Sequence, residues 1–408
     1  MKIVILDEHP LEDGRVGRHI KYLLRNNNEV FRLHFSIFAP ELKQGRFSHY
    51  GERGFRINPP SPDMRVLNYL VFNTMYFLPS LFAPGIEEAL EEMAVDRTAP
   101  TVLHVHDPCL LKVAIMMKRQ FFKDARIVYD RHEFYELFSR RGQLPIPTRD
   151  RYYETVAEGE IAGVAHASLG RRGGLESLFS GADHTHIPNF PLPDTYDDAH
   201  ILAKIRSFNG DSVIRVLYVG SLSPLDRDIR LLLKVASGVL GSTAQATFFI
   251  GGPSSGHDEE LQQMMAPLQA EYGSRFRFNL GFIPRDQARQ LAENCHVGLH
   301  FIKPETAYWV KGSPNKVFEY LRCGAIPIIR ASIEFSDEIS PCSLLFDRDT
   351  PEEEIVLAVT ELLSDPDRCR RMMEDALSLS SKFSFEVVGR NYLNLYERIR
   401  NSHPRPDH

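Results

Sequence analysis

Tryptophan and cysteine are scarce in this chain. A single Trp, Trp309, and five Cys stand among 408 residues. The cysteines (109, 295, 323, 342 and 369) include no C-x-x-C pair, so they read as reduced thiols of a cytoplasmic protein rather than a disulfide framework. Long apolar runs are missing as well. No stretch reaches the roughly 18 uninterrupted apolar residues of a membrane span. The opening MKIVILDEHP holds an apolar run too short for a signal peptide, which fits a first buried strand. Positive charge is not in excess: 48 Lys and Arg stand against 54 Asp and Glu, for a net charge of −6 and a pI of about 6.3. That balance argues against a general nucleic-acid binder. Neither H-E-x-x-H nor G-x-G-x-x-G occurs, and no Cys/His cluster supports a zinc site.

What is present is an ordinary globular balance, 43% apolar and 25% charged, in a chain long enough for two domains. Short apolar strands alternate with amphipathic segments. KIVIL (2–6), VLHV (102–105), RIVYD (126–130), GVAHASL (163–169) and HTHIP (184–188) read as strands. A helix is expected from Val16, Ile20, Leu23 and Leu24, ended by the Asn run 26–28, and another over 110–122. Residues 188–212 are rich in Pro and Asp and break the pattern. Strands at 214–220, 246–252, 275–281, 296–302 and 325–330 then alternate with helices at 229–240, 258–272, 285–294 and 314–323. The expected class is α/β, with two doubly wound Rossmann-like domains facing each other across a cleft. The divisions are 1–190, a linker 191–212 and 213–384. The segment 66–84 is apolar and aromatic. It reads as a core helix ended by Pro79, or as a surface meeting lipid. Nearby cations in 118–123 and the pairs Arg140-Arg141 and Arg171-Arg172 fit solvated faces better than attraction to anionic lipid.

The richest stretch is KGSPNKVFEY (311–320). Ser313 suits a helix cap, Pro314 the first helical position, and Gly324 the far end. The free N–H groups of the first turn, around Asn315, favour an anion, and Lys316 adds a full charge there. Glu319 lies about one turn on, roughly 5 Å away. A carboxylate is the natural acceptor for two vicinal hydroxyls, as on a ribose. The plainer alternative is a solvated i,i+3 ion pair. Further back, Gly220 ends a strand and Arg227 precedes a helix, a placement that suits phosphate. Asp226 and Asp228 read as helix-start caps or, less simply, as an Asp-x-Asp metal pair. GGPSSG (251–256) has the outline of a nucleophile elbow around Ser254, although Pro253 opposes the strained turn that an elbow needs. Gly14 and Gly17 sit between a strand and a helix, where a ligand approaches backbone. His106, Asp107, His132 and Glu133 lie at two successive strand ends, either as site residues or as ordinary polar rims.

Taken in order, these blocks resemble the retaining GT-B glycosyltransferases of family 4 over nearly the whole chain. The similar blocks are DGRVGRHIKYLLRNNNEV, VLHVHDP…VYDRHE, HIPNFP, YVGSLSPLDRDI, GFIPRDQARQLAENCHVGLHF and SPNKVFEYLRCGAIPII. The final FSFEVVGRNYLNLYERIR resembles the closing helix, about 385–402, that packs back on the first domain. The resemblance implies a sugar transferred from a nucleotide-diphosphate donor, with UDP favoured over GDP or ADP, to a saccharide or lipid-linked acceptor. It implies no metal and no cofactor beyond that co-substrate. Nucleic acid is not an implied partner; cytoplasmic placement and peripheral contact with the inner membrane face are. Glu319 would hold the ribose hydroxyls, Lys316 and Arg227 the diphosphate, and His132 the transferred sugar. Gly14 would lie near phosphate or acceptor. Gly220, Ser313, Pro314 and Asn315 would line the donor site, and Phe282 and Ile283 would flank the base. His106, Asp107 and Glu133 would face the acceptor. The chain departs from the family at Lys311, where many members carry a Glu, and at Ser221, where an Arg is common. Three rival functions follow: a nucleotide-sugar-binding protein without turnover, a nucleotide-sugar epimerase, and a Ser254 hydrolase.

Overall fold

The fold is described from a computed structural model covering 1–36, 43–58, 78–106, 108–132, 146–172, 174–306 and 309–402. It divides into two compact units: Met1–Pro188 with Val388–His408, and Asn189–Val387.

The first unit is built on an eight-stranded sheet. Its strands are β1 (Lys2–Asp7), β2 (Glu29–Phe35), β3 (Gly45–Phe47), β4 (Arg53–Ile57), β5 (Thr101–His106), β6 (Arg126–Arg131), β7 (Ile161–His166) and β8 (Asp183–His186), in the order β3-β4-β2-β1-β5-β6-β7-β8. All neighbours pair in parallel except β3 with β4. The central strands are buried on both faces, so β1 reads as a continuous apolar run rather than an alternation, and β5 buries His104 and His106 along with its apolar residues. One core closes under helices at Ala83–Glu92 and Leu111–Gln120, and the helix Gly14–Arg25 buries Val16, Ile20 and Leu23. The order reverses between β1 and β5. In open parallel sheets this switch point opens a crevice at the carboxyl ends of the strands.

The second unit holds β9 (Ile214–Val219), β10 (Ala246–Gly251), β11 (Phe276–Asn279), β12 (Val297–Phe301), β13 (Ile326–Arg330) and β14 (Leu344–Phe346). All run parallel in the order β11-β10-β9-β12-β13-β14, so the switch point lies between β9 and β12. The helix Asn315–Arg322 seats Tyr320 on β12, where a Cβ on Gly298 would lie 2.2 Å from the tyrosine ring. Glycine there lets the helix approach the strand.

The stretch 191–212, expected to be a linker, carries the helix Asp198–Ser207. Ile201 and Ile205 bury it in the core of the second unit. Its mixed polar composition hid that two-residue apolar stripe. The helix Phe385–Asn401 belongs, from Val388 on, to the first unit. No helix among the described residues is long and apolar enough to cross a membrane. Residues 66–77 and the pair Arg140-Arg141 lie outside the described residues. Lys118 and Arg119 both pair with Glu160, and Arg172 pairs with Glu176, as expected of solvated faces.

Candidate functional site

The second unit gathers its chemistry at the β9/β12 switch point. Directly after β9 comes Gly220, whose φ of +147° an L side chain rarely adopts. A Cβ there would sit 2.5 Å from Lys316 Nζ, so glycine at 220 makes room for that ammonium. The next loop also approaches closely: a Cβ on Gly252 would lie 1.9 Å from the Gly220 carbonyl oxygen. Lys316 Nζ is buried 3.9 Å above the Tyr218 ring and has no hydrogen-bond partner among the described residues. Burial first, and then the neighbouring Arg227 charge, hold its pKa well below the usual lysine value, against the opposing pull of Glu319 and Asp226. Arg227 pairs with Asp226 at 2.9 Å. Lys316 and the Asp226-paired Arg227 are therefore electrostatic neighbours at the end of β9, an arrangement that suits a dianionic ligand. Glu319 is half-buried on the same helix, one turn beyond Lys316.

Several expected residues take other places. Pro314, not Ser313, is the N-cap, and the Ser313 hydroxyl donates to Glu334 at 2.6 Å. The helix starts one residue later than expected, at Asn315, which leaves Ser313 ahead of the cap position and its hydroxyl proton directed to the carboxylate. Gly324 has a φ of +59° just past the helix end, as its placement in sequence suggests. Asp228 caps the helix Ile229–Ser242 through Leu231 N and also meets Arg330 at 3.2 Å, the capping outcome. Ile283 is buried against Gly251, whereas Phe282 is 73% exposed. Ser254 sits in a Gly-Pro turn. Among the described residues, no histidine or carboxylate hydrogen-bonds to its hydroxyl.

In the first unit, Gly14 is the first residue of its helix, and the preceding Asp13 caps it by accepting from Arg15 N and Val16 N. Gly17 lies inside the helix rather than in the loop, and its bare face receives the Tyr50 hydroxyl 2.6 Å from a built Cβ. His132 follows β6 and stacks on His9 with ring centroids 4.7 Å apart. His106 is fully buried beneath His132, with Nδ1 2.7 Å from His132 Nε2. Asp107 and Glu133 lie outside the described residues.

Beneath His132 lies a cluster that the sequence reading missed. His106 Nε2 is 3.3 Å from His19 Nδ1, and His19 Nε2 is 2.7 Å from the Tyr396 hydroxyl. That hydroxyl is 2.8 Å from His104 Nδ1, and His104 Nε2 is 3.4 Å from Asp130 Oδ2. Asp130 also accepts from Arg15 Nε at 2.9 Å and from the Tyr392 hydroxyl at 2.5 Å. Burial pushes the Asp130 carboxyl up, but Arg15 and His104 outweigh it and hold it well below the usual range. Burial holds His19, His104 and His106 below the usual histidine value, and therefore neutral. The nitrogens of His19, His104 and His106 are close enough to share a metal ion, as are the ligand atoms of His106, Asp130 and His132. A signal was available: His19 shares the buried face of its helix with Val16, Ile20 and Leu23, and Tyr392 and Tyr396 are four apart.

Solved structures of the same fold cover nearly all of the chain. Sucrose-phosphate synthase from Thermosynechococcus elongatus superposes with a TM-score of 0.69 at 15% identity, over 98% of this chain and 99% of that one. Anabaena HepE in complex with UDP and glucose gives 0.67 at 16% identity, over 98% and 100%. The catalytic domain of starch synthase IV from Arabidopsis thaliana, bound to ADP and acarbose, gives 0.69 at 14% identity, over 98% and 100%. No protein-family model and no curated protein matches the chain. Likeness at such identities carries the fold, and the fold is GT-B, an α/β architecture of two parallel-sheet units.

Proposed function

We propose that the protein is a retaining, metal-independent glycosyltransferase of the family-4 type. In this reading it moves a hexosyl group from a nucleotide-diphosphate sugar to a saccharide or lipid-linked acceptor. The carrying observation is Lys316: a buried ammonium without a hydrogen-bond partner among the described residues, beside Arg227 and Gly220 at the switch point of a parallel sheet. A buried cation left in this state is strongly unfavourable unless a ligand anion completes it. A diphosphate fits that requirement. Its growing charge at the leaving oxygen is stabilised by Lys316, Arg227 and the first-turn N–H groups of the helix Asn315–Arg322. Glu319 accepts from the ribose hydroxyls, and Phe282 and Ile283 flank the base. The leaving phosphate takes the acceptor hydroxyl's proton on the same face of the sugar, so retention needs no separate base. His132 contacts the transferred sugar, Gly14 lies near phosphate or acceptor, and Asp107 and Glu133 contact the acceptor. UDP is the favoured donor nucleotide, and the HepE structure named above holds UDP and glucose. The protein works in the cytoplasm, with peripheral contact at the inner membrane face.

Lys316→Ala and Glu319→Ala are each expected to lose most transfer activity with the circular dichroism spectrum retained. Near wild-type turnover in both purified variants would refute the assignment. Ser221 and Lys311, which depart from the family pattern, favour a second reading as a nucleotide-sugar-binding protein. That protein would show a nucleotide-dependent rise in melting temperature but no turnover with any donor–acceptor pair.

A further inference from the structure

The geometry assigns a tautomer-setting chain to the first unit: Asp130, acting through His104, Tyr396, His19 and His106, fixes His132 as the Nε2–H tautomer. The links run His132 Nε2 to His106 Nδ1 (2.7 Å), His106 Nε2 to His19 Nδ1 (3.3 Å), His19 Nε2 to Tyr396 Oη (2.7 Å) and Tyr396 Oη to His104 Nδ1 (2.8 Å). A neutral imidazole carries one N–H and one acceptor nitrogen, and a hydroxyl one proton. Each link therefore uses one proton, and choosing the donor at any link chooses it at all of them.

The polarity is set at the Asp130 end. Asp130 is ionised: Arg15 donates to Oδ1 through Nε at 2.9 Å and keeps its Nη2 2.8 Å away as an ion pair, and Tyr392 donates to Oδ2. A carboxylate accepts only, so the nitrogen facing it carries the proton. His104 Nε2 lies 3.4 Å from Oδ2, too poorly aligned for a hydrogen bond, but a lone pair there would still face the carboxylate's charge, whereas His106 Nδ1, at 3.6 Å, has a far better partner in His132. With His104 protonated at Nε2, Tyr396 donates to His104 Nδ1, His19 Nε2–H donates to Tyr396, His106 Nε2–H donates to His19 Nδ1, and His132 Nε2–H donates to His106 Nδ1. All four rings are Nε2–H. The opposite polarity makes all four Nδ1–H and turns a lone pair of His104 towards the carboxylate.

His132 Nδ1 is then an acceptor, suited to a sugar hydroxyl rather than to a sugar oxygen that itself needs a donor. This consequence rests on the transferase reading; the tautomer assignment does not. His106, His19, Tyr396 and His104 are positioning residues for His132, which is also bordered by His9 and Asp13.

Long-range 15N–1H correlation spectra of the uniformly labelled, full-length protein at neutral pH test the chain directly. Nε2–H signatures for residues 19, 104, 106 and 132 are expected. Nδ1–H at these rings, or a mixture of signatures in the wild type, would overturn the assignment. So would a stoichiometric metal ion found by mass spectrometry, because a metal would take the place of the protons on His19 and His106. Tyr396→Phe cuts the chain in the middle. It is expected to leave His104 as Nε2–H while the other three rings become mixtures, and to lower turnover several-fold. Unchanged tautomers in this variant would refute control by Asp130. Should the transferase reading fail, the spectra still decide the chain; should the spectra fail, the activity assays on Lys316 and Glu319 are unaffected.

Discussion

A single buried ammonium shows the conflict between stability and function at the residue scale. Lys316 Nζ has Tyr218 below it, Gly220 beside it and no hydrogen-bond partner among the described residues. Replacing it by Met keeps the stem's apolar contacts and removes an uncompensated buried charge. Lys316→Met is therefore expected to melt at or above the wild-type temperature. Its nucleotide affinity should fall by about 1.5–3 kcal/mol, the loss of a hydrogen bond to a charged group. Differential scanning calorimetry and calorimetric titration with UDP check the two halves. A melting temperature several degrees below wild type would contradict the account. At this scale the sequence was informative about identity and silent about environment. Lys316 and Glu319 were visible three apart in KGSPNKVFEY, but spacing could not separate a solvated ion pair from a buried cation. Burial of Nζ comes from Gly220, nearly a hundred residues earlier in the chain.

Helix ends matter at the next scale up. Lys204, on the helix Asp198–Ser207, donates to the carbonyl of Cys295 at 2.6 Å and to that of Cys323 at 2.7 Å. These residues cap the carboxyl ends of the helices Arg285–Asn294 and Asn315–Arg322. One ammonium thus satisfies orphan carbonyls at two negative helix termini, and one of those helices carries Lys316 and Glu319. Lys204→Met is expected to destabilise the protein by about 2–3 kcal/mol, since both carbonyls lose a charged donor in a buried setting. Urea denaturation should show a lower midpoint at unchanged slope, and an unchanged midpoint would sink the idea. The sequence placed most helices and strands of the second unit but left Asp198–Ser207 in a linker. Its two buried isoleucines make too narrow a stripe to stand out among Asp, His, Lys and Arg. The strands β2 to β4 lack the clean apolar run of β1 because charged residues such as Arg32 sit inside them, paired with Asp7 at 2.7 Å. A pattern based on hydrophobicity cannot find such a strand before its partner is known.

Over the whole molecule, neutral buried histidines govern acid stability. Burial holds His166 and His296 down to about 3, and it holds His19, His104 and His106 below the usual value as well. The unfolded chain takes up protons on these residues as pH falls through roughly 6.5, and the native protein does not. Their contribution is complete above that pH and is lost progressively below it. Asp7 and Asp130 are held below the usual carboxylate range by Arg32 and Arg15 despite burial, so their contribution is lost only at still lower pH. Melting temperature should therefore be nearly flat from pH 8 to 7 and drop steeply between about 6.5 and 4.5. A flat profile down to pH 5 would mean that these histidines are not held neutral in the native protein.

The order of strands and helices, the two-fold repetition of the α/β pattern and the residues of the helix Asn315–Arg322 were set by local sequence. Apolar runs, turn residues and caps act over a few positions, and their chemistry does not depend on distant chain. The polarity of the histidine chain, the burial of Lys316 and the burial of His106 were decided only by tertiary structure. Each depends on residues far apart in sequence: Tyr396 beside His19 and His104, Gly220 beside Lys316, and Asp130 joined to Arg15. Proton positions and desolvation are properties of an environment, and no stretch of sequence contains its environment until the chain has folded around it.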